Sequence, residues 1–261
     1  MEKEDPVDIS RAVLRIRKLA AAVSTRTFRK AATRGVFASI EHKPAFARFE
    51  NDFDLIVDVG ANKGQFAAFA LERFPTSRVI CFEPLSQPAA IFRSIFGSDE
   101  RVRLVNAAIS PSPEKRLINV TEHDDSSSLL EVGDLQSVAF GTRAIRTEEV
   151  HCGPLREFIR VEEFGKFNLL KIDVQGFELE VLMASNDYLD RFAVIYCEVS
   201  YVPLYKSQAC AWEVIDYLNK AGFRLAGVFN QVSLTHGLPL QADMIFLREH
   251  LLAPLEHVTS L

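Results

Sequence analysis

The chain has 261 residues, of which 48% are hydrophobic and 25% charged, and a formal net charge of −5. That length accommodates one α/β domain with a modest extension, and the apolar fraction excludes a disordered chain. The negative balance disfavours nucleic acid as the main partner, and no uncharged apolar run approaches the ~18 residues of a membrane span.

The start, Met1-Glu2-Lys3-Glu4-Asp5-Pro6, is acidic and unlike a signal peptide. Residues 9–34 read as one or two helices, with Val13, Ile16, Ala20 and Val23 at helical spacing and Arg11, Arg15 and Lys18 on another face. From Arg11 to Ile40 there are eight basic residues and no acidic one. This segment reads as a solvated helix packed on the main domain, or as a lid or a patch for anionic substrates or membrane surfaces. Gly35 ends it, and 36–50 leads on as another short helix.

Leu55-Ile56-Val57-Asp58-Val59 reads as a buried strand, and Gly60-Ala61-Asn62-Lys63-Gly64 as a turn into a helix over Gly64–Phe74, stopped by Pro75. Arg78–Phe82 is a second strand ending at Glu83-Pro84, and 86–96 a helix. Val102–Val105 is a third strand ending at Asn106. Segments 115–121 and 145–151 read as short strands around a polar loop that contains Asp124-Asp125-Ser126-Ser127-Ser128, and 155–164 as helical. Asn168–Asp173 is a fourth strand read as apolar, closed by Val174-Gln175-Gly176 before a helix from Phe177. Ala193–Val199 is a fifth strand, and Ala211–Ala221 a helix ended by Gly222. Phe223–Phe229 and Ala242–Arg248 form a last antiparallel pair.

Strands alternating with helices imply a mostly parallel sheet. The expected organisation is an N-terminal helical extension over 1–50, a main domain over 51–250 and a tail over 251–261. The four cysteines, at 81, 152, 197 and 210, form no C-x-x-C pair. They read as reduced, buried thiols of a cytoplasmic protein.

Open α/β sheets bind small molecules at the carboxyl ends of their strands. Asn62 and Gln65 break the dinucleotide fingerprint G-x-G-x-x-G, and Gly60 with Gly64 leaves the looser pattern of S-adenosylmethionine sites. Glu83, 25 residues after Asp58, is placed to accept both hydroxyls of a ribose; its other reading is an acid at a helix N-terminus before Ser86. S-adenosylmethionine carries a carboxylate suited to backbone N–H groups and a cationic ammonium and sulfonium. Asp58 and Asp173 would face those cations. Asn106 is placed for an adenine amine, although Asn is also a common turn residue. Glu198 reads either as a general base for a substrate hydroxyl or as a partner in a structural ion pair. Glu178 reads as a capping acid. His123 with Asp124 and Asp125 reads as solvated turn chemistry rather than a metal site, and no metal is expected. His151 and His236 stand alone.

Together the segments resemble the FkbM family of S-adenosylmethionine-dependent methyltransferases, from about Gly35 to Arg248. The pieces are Ile40-Glu41-His42, Val57–Phe66, Phe82-Glu83-Pro84, Ser127-Ser128-Leu129-Leu130 and Leu170–Leu182. Glu198-Val199-Ser200, Pro203-Leu204-Tyr205 and Asp243-Met244-Ile245-Phe246 follow in order. The first-strand motif is common to many methyltransferases; the fourth-strand motif in this order is more specific. The resemblance implies a class I methyltransferase (Rossmann-like) fold with a seven-stranded, mostly parallel sheet and a C-terminal antiparallel hairpin. It also implies methyl transfer to a hydroxyl of a sugar, glycolipid or polyketide-like acceptor. One departure is Leu155-Arg156, where many relatives carry Leu-Asp.

The candidate cofactor-binding residues are therefore Asp58, Gly60, Ala61, Asn62, Gly64, Gln65, Glu83 and Asn106, and the candidate catalytic residues Asp173 and Glu198. Two other readings stay open: a nicotinamide-dependent oxidoreductase on a Rossmann sheet, and a non-catalytic protein that binds a partner through its basic N-terminus.

Overall fold

The computed structural model describes residues 6–122, 126–234 and 237–252. Its main sheet has seven strands in the order β3-β2-β1-β7-β8-β10-β9. These are β1 (Leu55–Val59), β2 (Arg78–Phe82), β3 (Val102–Val105), β7 (Asn168–Ile172), β8 (Val194–Ser200), β9 (Phe223–Ser233) and β10 (Pro239–Arg248). β1 pairs in parallel with both β2 and β7, and β7 with β8; β10 runs antiparallel to β8 and β9. This is the class I methyltransferase sheet, with its strand order reversing between β1 and β7. Ligands bind at such a reversal, outside the carboxyl ends of the strands.

The strands of the centre are buried on both faces, so they read as near-continuous apolar runs. Leu55, Val57, Val59, Leu170 and Ile172 pack on one face with α7 (Glu178–Ala184) and α8 (Ala211–Lys220). Ile56, Cys81, Leu169, Val194 and Ile245 pack on the other with α4 (Gln65–Arg73) and α5 (Ser86–Phe96).

The N-terminal residues form α1 (Pro6–Ala21), α2 (Arg26–Ala32), a 3₁₀ turn over Ile40–His42 and α3 (Lys43–Phe46). Thr25 caps α2, its side chain accepting from the Phe28 N–H at 3.1 Å. From Phe28 onward this segment shares the second core. Phe46 lies at the centre of an aromatic cluster, with ring centroids 4.9 Å from Tyr196, 5.7 Å from Phe69, 5.8 Å from Phe74 and 5.9 Å from Phe66.

A second sheet, ordered β4-β6-β5, is made by β4 (Ala108–Ile109), β5 (Glu114–Thr121) and β6 (Ala144–Gly153). The antiparallel β5–β6 pair lies where the sequence places two short strands; β4 and α6 (Asp134–Phe140) are unforeseen.

Two expectations need correction. Residues 155–164 are not one helix but two 3₁₀ turns, Leu155–Glu157 and Val161–Glu163. Arg160 is extended, and its N–H is taken by Glu163 Oε2 at 2.9 Å, the capping contact that starts the second turn afresh. The final strands also run further than 223–229 and 242–248. A break in register lies between Gln241 and Asp243, and Asn230 has a left-handed φ of +48°. Such a bulge lets the ladder continue while re-aiming a side chain. The expected tail over 251–261 lies outside the described residues from 253 on.

Phe46→Ala removes the hub of the aromatic cluster. It is expected to cost ~3–5 kcal/mol, measured as a lower midpoint with unchanged slope in urea unfolding.

Candidate active site

The parallel register sets the site. Pairing aligns Asp58 with Lys171, Lys171 with Tyr196, and Glu198 with Asp243. Residues aligned across neighbouring strands point to the same face of a sheet. Four strands therefore present polar side chains on one face at one end. Of these, Lys171, Glu198 and Asp243 line a cleft of ≈ 370 Å³, within the range of small-molecule sites.

Lys171 is the centre. Its ammonium is 3.0 Å from Asp58 Oδ1 and 3.6 Å from Asp173 Oδ2, and it donates to the Gly60 carbonyl at 3.2 Å. Burial pushes Lys171 down, but Asp58 and Asp173 outweigh it and hold the ammonium protonated, above its usual range. Burial pushes the Asp58 carboxyl up, and Lys171 pushes back. Asp58 is 0% exposed and does not line the cleft. Its carboxylate faces Lys171 and the Cys81 thiol, not a bound cation, because the register puts the lysine beside it. Lys171 is not among the candidates the sequence singles out; its signal there is a lone lysine among the aliphatic residues of β7.

The turn after β1 is formed as its glycines require. Gly60 has φ +84°, and a Cβ there would stand 1.8 Å from the Asp173 carbonyl oxygen. Asn62 is left-handed at φ +47°, its Oδ1 accepting from the Lys63 N–H at 2.7 Å. Gly64, φ +94°, is pressed against Phe92 and Phe96, away from the cleft. Gly60, Ala61, Asn62 and Gln65 line it. Gln65 Oε1 is buried there without a hydrogen-bond partner among the described residues.

Glu83 sits at the end of β2 and closes the turn. Oε2 accepts from the Asn62 N–H and Oε1 from the Leu85 N–H, each at 2.8 Å. Burial pushes its carboxyl up to about 7 against those two amides. Asn106 lies outside the cleft; its amide donates to the Glu83 and Pro84 carbonyls at 2.8 and 2.9 Å. It clamps the end of β2, while Ala107, Ala108 and Ile109 line the cleft in its place.

Asp173 and Glu198 are brought together by one side chain. Gln175 Nε2 donates to Asp173 Oδ1 and to Glu198 Oε2, both at 2.9 Å. Its Oε1 is 3.1 Å from the Tyr205 hydroxyl, which also lies 3.0 Å from the Ser126 carbonyl; the two carboxylate acceptors of Nε2 set the amide's orientation. Gln241 Nε2 donates to Glu198 Oε1 at 2.7 Å. Burial, followed by Asp173, Asp243 and Glu178, pushes the Glu198 carboxyl well above its usual range. Glu178 caps the turn, accepting from the Gly176 and Val174 N–H groups.

His42 and Asp243 complete the wall, and neither is among the candidate residues that the sequence singles out. The Tyr196 hydroxyl donates to Asp243 Oδ2 at 2.8 Å, and Asn230 Nδ2 donates to the same oxygen at 2.7 Å. His42 Nδ1 lies 2.8 Å from the Tyr196 oxygen and 3.4 Å from Asp243. Burial pushes Asp243 up, but His42, Asn230 and Tyr196 outweigh it and hold the carboxyl below its usual range. No local pattern in the sequence links positions 42, 196, 230 and 243.

The polar loop reaches the site through Ser127 and Leu129, and Ser128 Oγ donates to the Gln175 carbonyl at 2.6 Å. His123, Asp124, Asp125 and His236 lie outside the described residues. Among the described residues no cluster of His, Cys, Asp and Glu has the arrangement of a metal site. Arg156 is away from the cleft and pairs with Asp187 at 2.5 Å.

A family model described as the methyltransferase FkbM domain matches residues 58–225. The 2-O-methyltransferase NoeI of Sinorhizobium fredii (strain NBRC 101917 / NGR234) is 28% identical over 189 residues, 68% of this chain and 76% of that protein. Among solved structures, a SAM-dependent methyltransferase from Aquifex aeolicus is similar at TM-score 0.43 and 12% identity, over 80% of this chain and 89% of that one. The precorrin-6y C5,15-methyltransferase of Geobacter metallireducens GS-15 has a TM-score of 0.42 and 12% identity, over 78% and 83%.

Lys171→Met leaves the buried Asp58 carboxylate without its cation and is expected to destabilise by ~3–5 kcal/mol. The double variant Asp58→Asn/Lys171→Met removes both charges and should recover most of that loss. Urea unfolding of the two variants beside the parent measures both effects.

Proposed function

The chain belongs to the FkbM methyltransferase family, and we propose that it methylates a hydroxyl of a sugar, glycolipid or polyketide-like acceptor using S-adenosylmethionine. The observation that carries this reading is the pair of carboxylates, Asp173 and Glu198, joined by Gln175 at the carboxyl ends of β7 and β8. The name of the Sinorhizobium relative, a 2-O-methyltransferase, supports oxygen as the acceptor atom. Family membership leaves the nicotinamide alternative without support. Four free, buried cysteines support a reducing, cytoplasmic setting.

The cleft fits the cofactor. Glu83 would take the ribose hydroxyls through the lone pairs that the Asn62 and Leu85 amides leave free. The turn Gly60–Gln65 would hold the amino-acid end, where the unpartnered Gln65 Oε1 can accept from an ammonium group. When bound, the cofactor supplies an electrophilic methyl group on a sulfonium. Asp58 acts at one remove, by holding Lys171 under the Gly60 carbonyl. Asn106 likewise acts on the turn by clamping Glu83.

The acceptor side of the cleft offers Glu198, Gln241, Asn230, Asp243 and His42. Carboxylates, amides and imidazole together suit a neutral, hydroxyl-rich molecule. The chain's task is to hold an acceptor oxygen about 3 Å from the methyl carbon, opposite sulfur, and to take its proton. Glu198 is placed for the second step. Its raised affinity for protons makes it a stronger base than an ordinary carboxylate, and Gln175 and Gln241 fix both of its oxygens. Asp173 shares the Gln175 amide and orients the pair.

Two measurements test this reading. Glu83→Ala should weaken S-adenosylmethionine binding by about tenfold or more in calorimetry, the value of hydrogen bonds to a charged group; unchanged affinity would remove the ribose assignment. For the base, incubation of cell extracts with methyl-labelled cofactor identifies an acceptor for kinetics. The base works only when ionised, so activity falls as pH drops through its raised pKa. The acid limb of kcat/KM should then lie above the ordinary carboxylate range, and Glu198→Gln should abolish that limb and lower kcat ~100-fold or more. Full turnover in Glu198→Gln, with a loss in Asp173→Asn instead, would move the base to Asp173.

A further inference from the structure

α1 carries apolar residues on a side that no other described residue covers. It meets the body of the protein through Leu14 and Ala21, which pack against the aromatic core. Lys18 reaches the cleft rim on the same side, its ammonium 2.7 Å from Glu41 Oε1. Val13, Ile16, Leu19 and, just past the helix end, Val23 are between 49% and 68% exposed. At 100° per residue Val13, Ile16 and Leu19 fill an arc of about 120°. Arg17 stands beyond the Val13 edge of that arc and Arg15 beyond the Leu19 edge, both exposed. The side with Leu14, Lys18 and Ala21 lies opposite.

A helix that only packs on a domain keeps its apolar stripe inward and its charges outward. This one has an outward stripe edged by arginines, the pattern of a helix lying in a membrane interface. The charge balance points the same way. Residues 11–40 carry eight basic side chains and no acidic one in a chain of net −5, which leaves −13 for the remainder. A second copy of this chain on the stripe would set one basic segment against another, whereas an anionic bilayer complements both the stripe and its arginines. Among the described residues no helix is long and apolar enough to cross a membrane, so α1 would lie on the surface.

We propose that α1 docks this protein on anionic lipid surfaces, with Val13, Ile16, Leu19 and Val23 in the acyl boundary and Arg15 and Arg17 among the headgroups. Docking would hold the cleft rim, where Lys18 and Glu41 meet on the opposite side of α1, one helix diameter (~10 Å) from the bilayer surface. An acceptor hydroxyl carried on a lipid would reach the cleft from there. That last step rests on the methyltransferase reading; the docking does not.

The test is flotation of the full chain with vesicles of phosphatidylcholine alone and of phosphatidylcholine mixed with phosphatidylglycerol. The protein should float with the mixed vesicles only, and less at high salt. Arg15→Gln/Arg17→Gln should weaken binding roughly 30-fold, about fivefold for each arginine. Ile16→Gln/Leu19→Gln should abolish it. These side chains are exposed, so both variants should keep the parent's unfolding midpoint and cofactor affinity. Failure to bind either vesicle, or binding unchanged in both variants, overturns the proposal. So does a dimer in solution that Ile16→Gln/Leu19→Gln dissociates. Cofactor titration of the same samples reports on the methyltransferase reading separately.

Discussion

One buried ammonium holds the centre of this molecule. Lys171 lies between the two strands where the sheet reverses its order, paired to Asp58 on β1 and reaching Asp173 beyond the end of its own strand. Burying a charge is costly unless it is paired and hydrogen-bonded. Both conditions are met here, by a carboxylate at 3.0 Å and the Gly60 carbonyl at 3.2 Å. The same contacts join β1, the glycine turn and β7 at the mouth of the cleft. The turn therefore cannot shift without disturbing a buried ion pair.

That single cation has many acids around it. Asp58, Asp173, Glu198, Asp243 and Glu178 all act on one another or on their neighbours. The chain separates them with amides rather than with further cations. Gln175 spans Asp173 and Glu198, Gln241 holds the other oxygen of Glu198, and Asn230 and Tyr196 hold Asp243. Neutral donors satisfy carboxylate oxygens without cancelling their charge. The result is divergence between neighbours. Asp243, beside His42, is held ionised, whereas Glu198 is driven toward its protonated form. Paired groups pushed apart in this way suit proton transfer.

The N-terminal segment links this polar network to the core. Phe46 and Phe66 pack against Tyr196, whose hydroxyl reaches Asp243 and His42. The aromatic cluster and the cleft wall thus share one side chain. His42, a few residues before Phe46 in the chain, is held by the same packing, with Phe66, Phe69 and Tyr196 set edge-on to its ring.

Local patterns were enough for the elements of the sheet and for the ligand end. The apolar runs at 55–59, 78–82 and 194–200 are strands because only burial on both faces tolerates them, and Gly60 is required because a Cβ would strike the backbone of Asp173. The place of Glu83 on the cleft wall was also legible, because a strand end leaves few directions for its side chain. Tertiary structure decided the rest. Asp58 turns to Lys171 because parallel register sets residues 58 and 171 side by side, and nothing near either residue states that register. Asn106 clamps a neighbouring strand end instead of lining the cleft, and His42, Asn230 and Asp243 meet only after the N-terminal segment packs on the sheet and β9 bulges. Periodicity reports which residues share a face within one element; which faces meet depends on pairings between separate elements, some of them, like Asp58 with Lys171, more than a hundred positions apart.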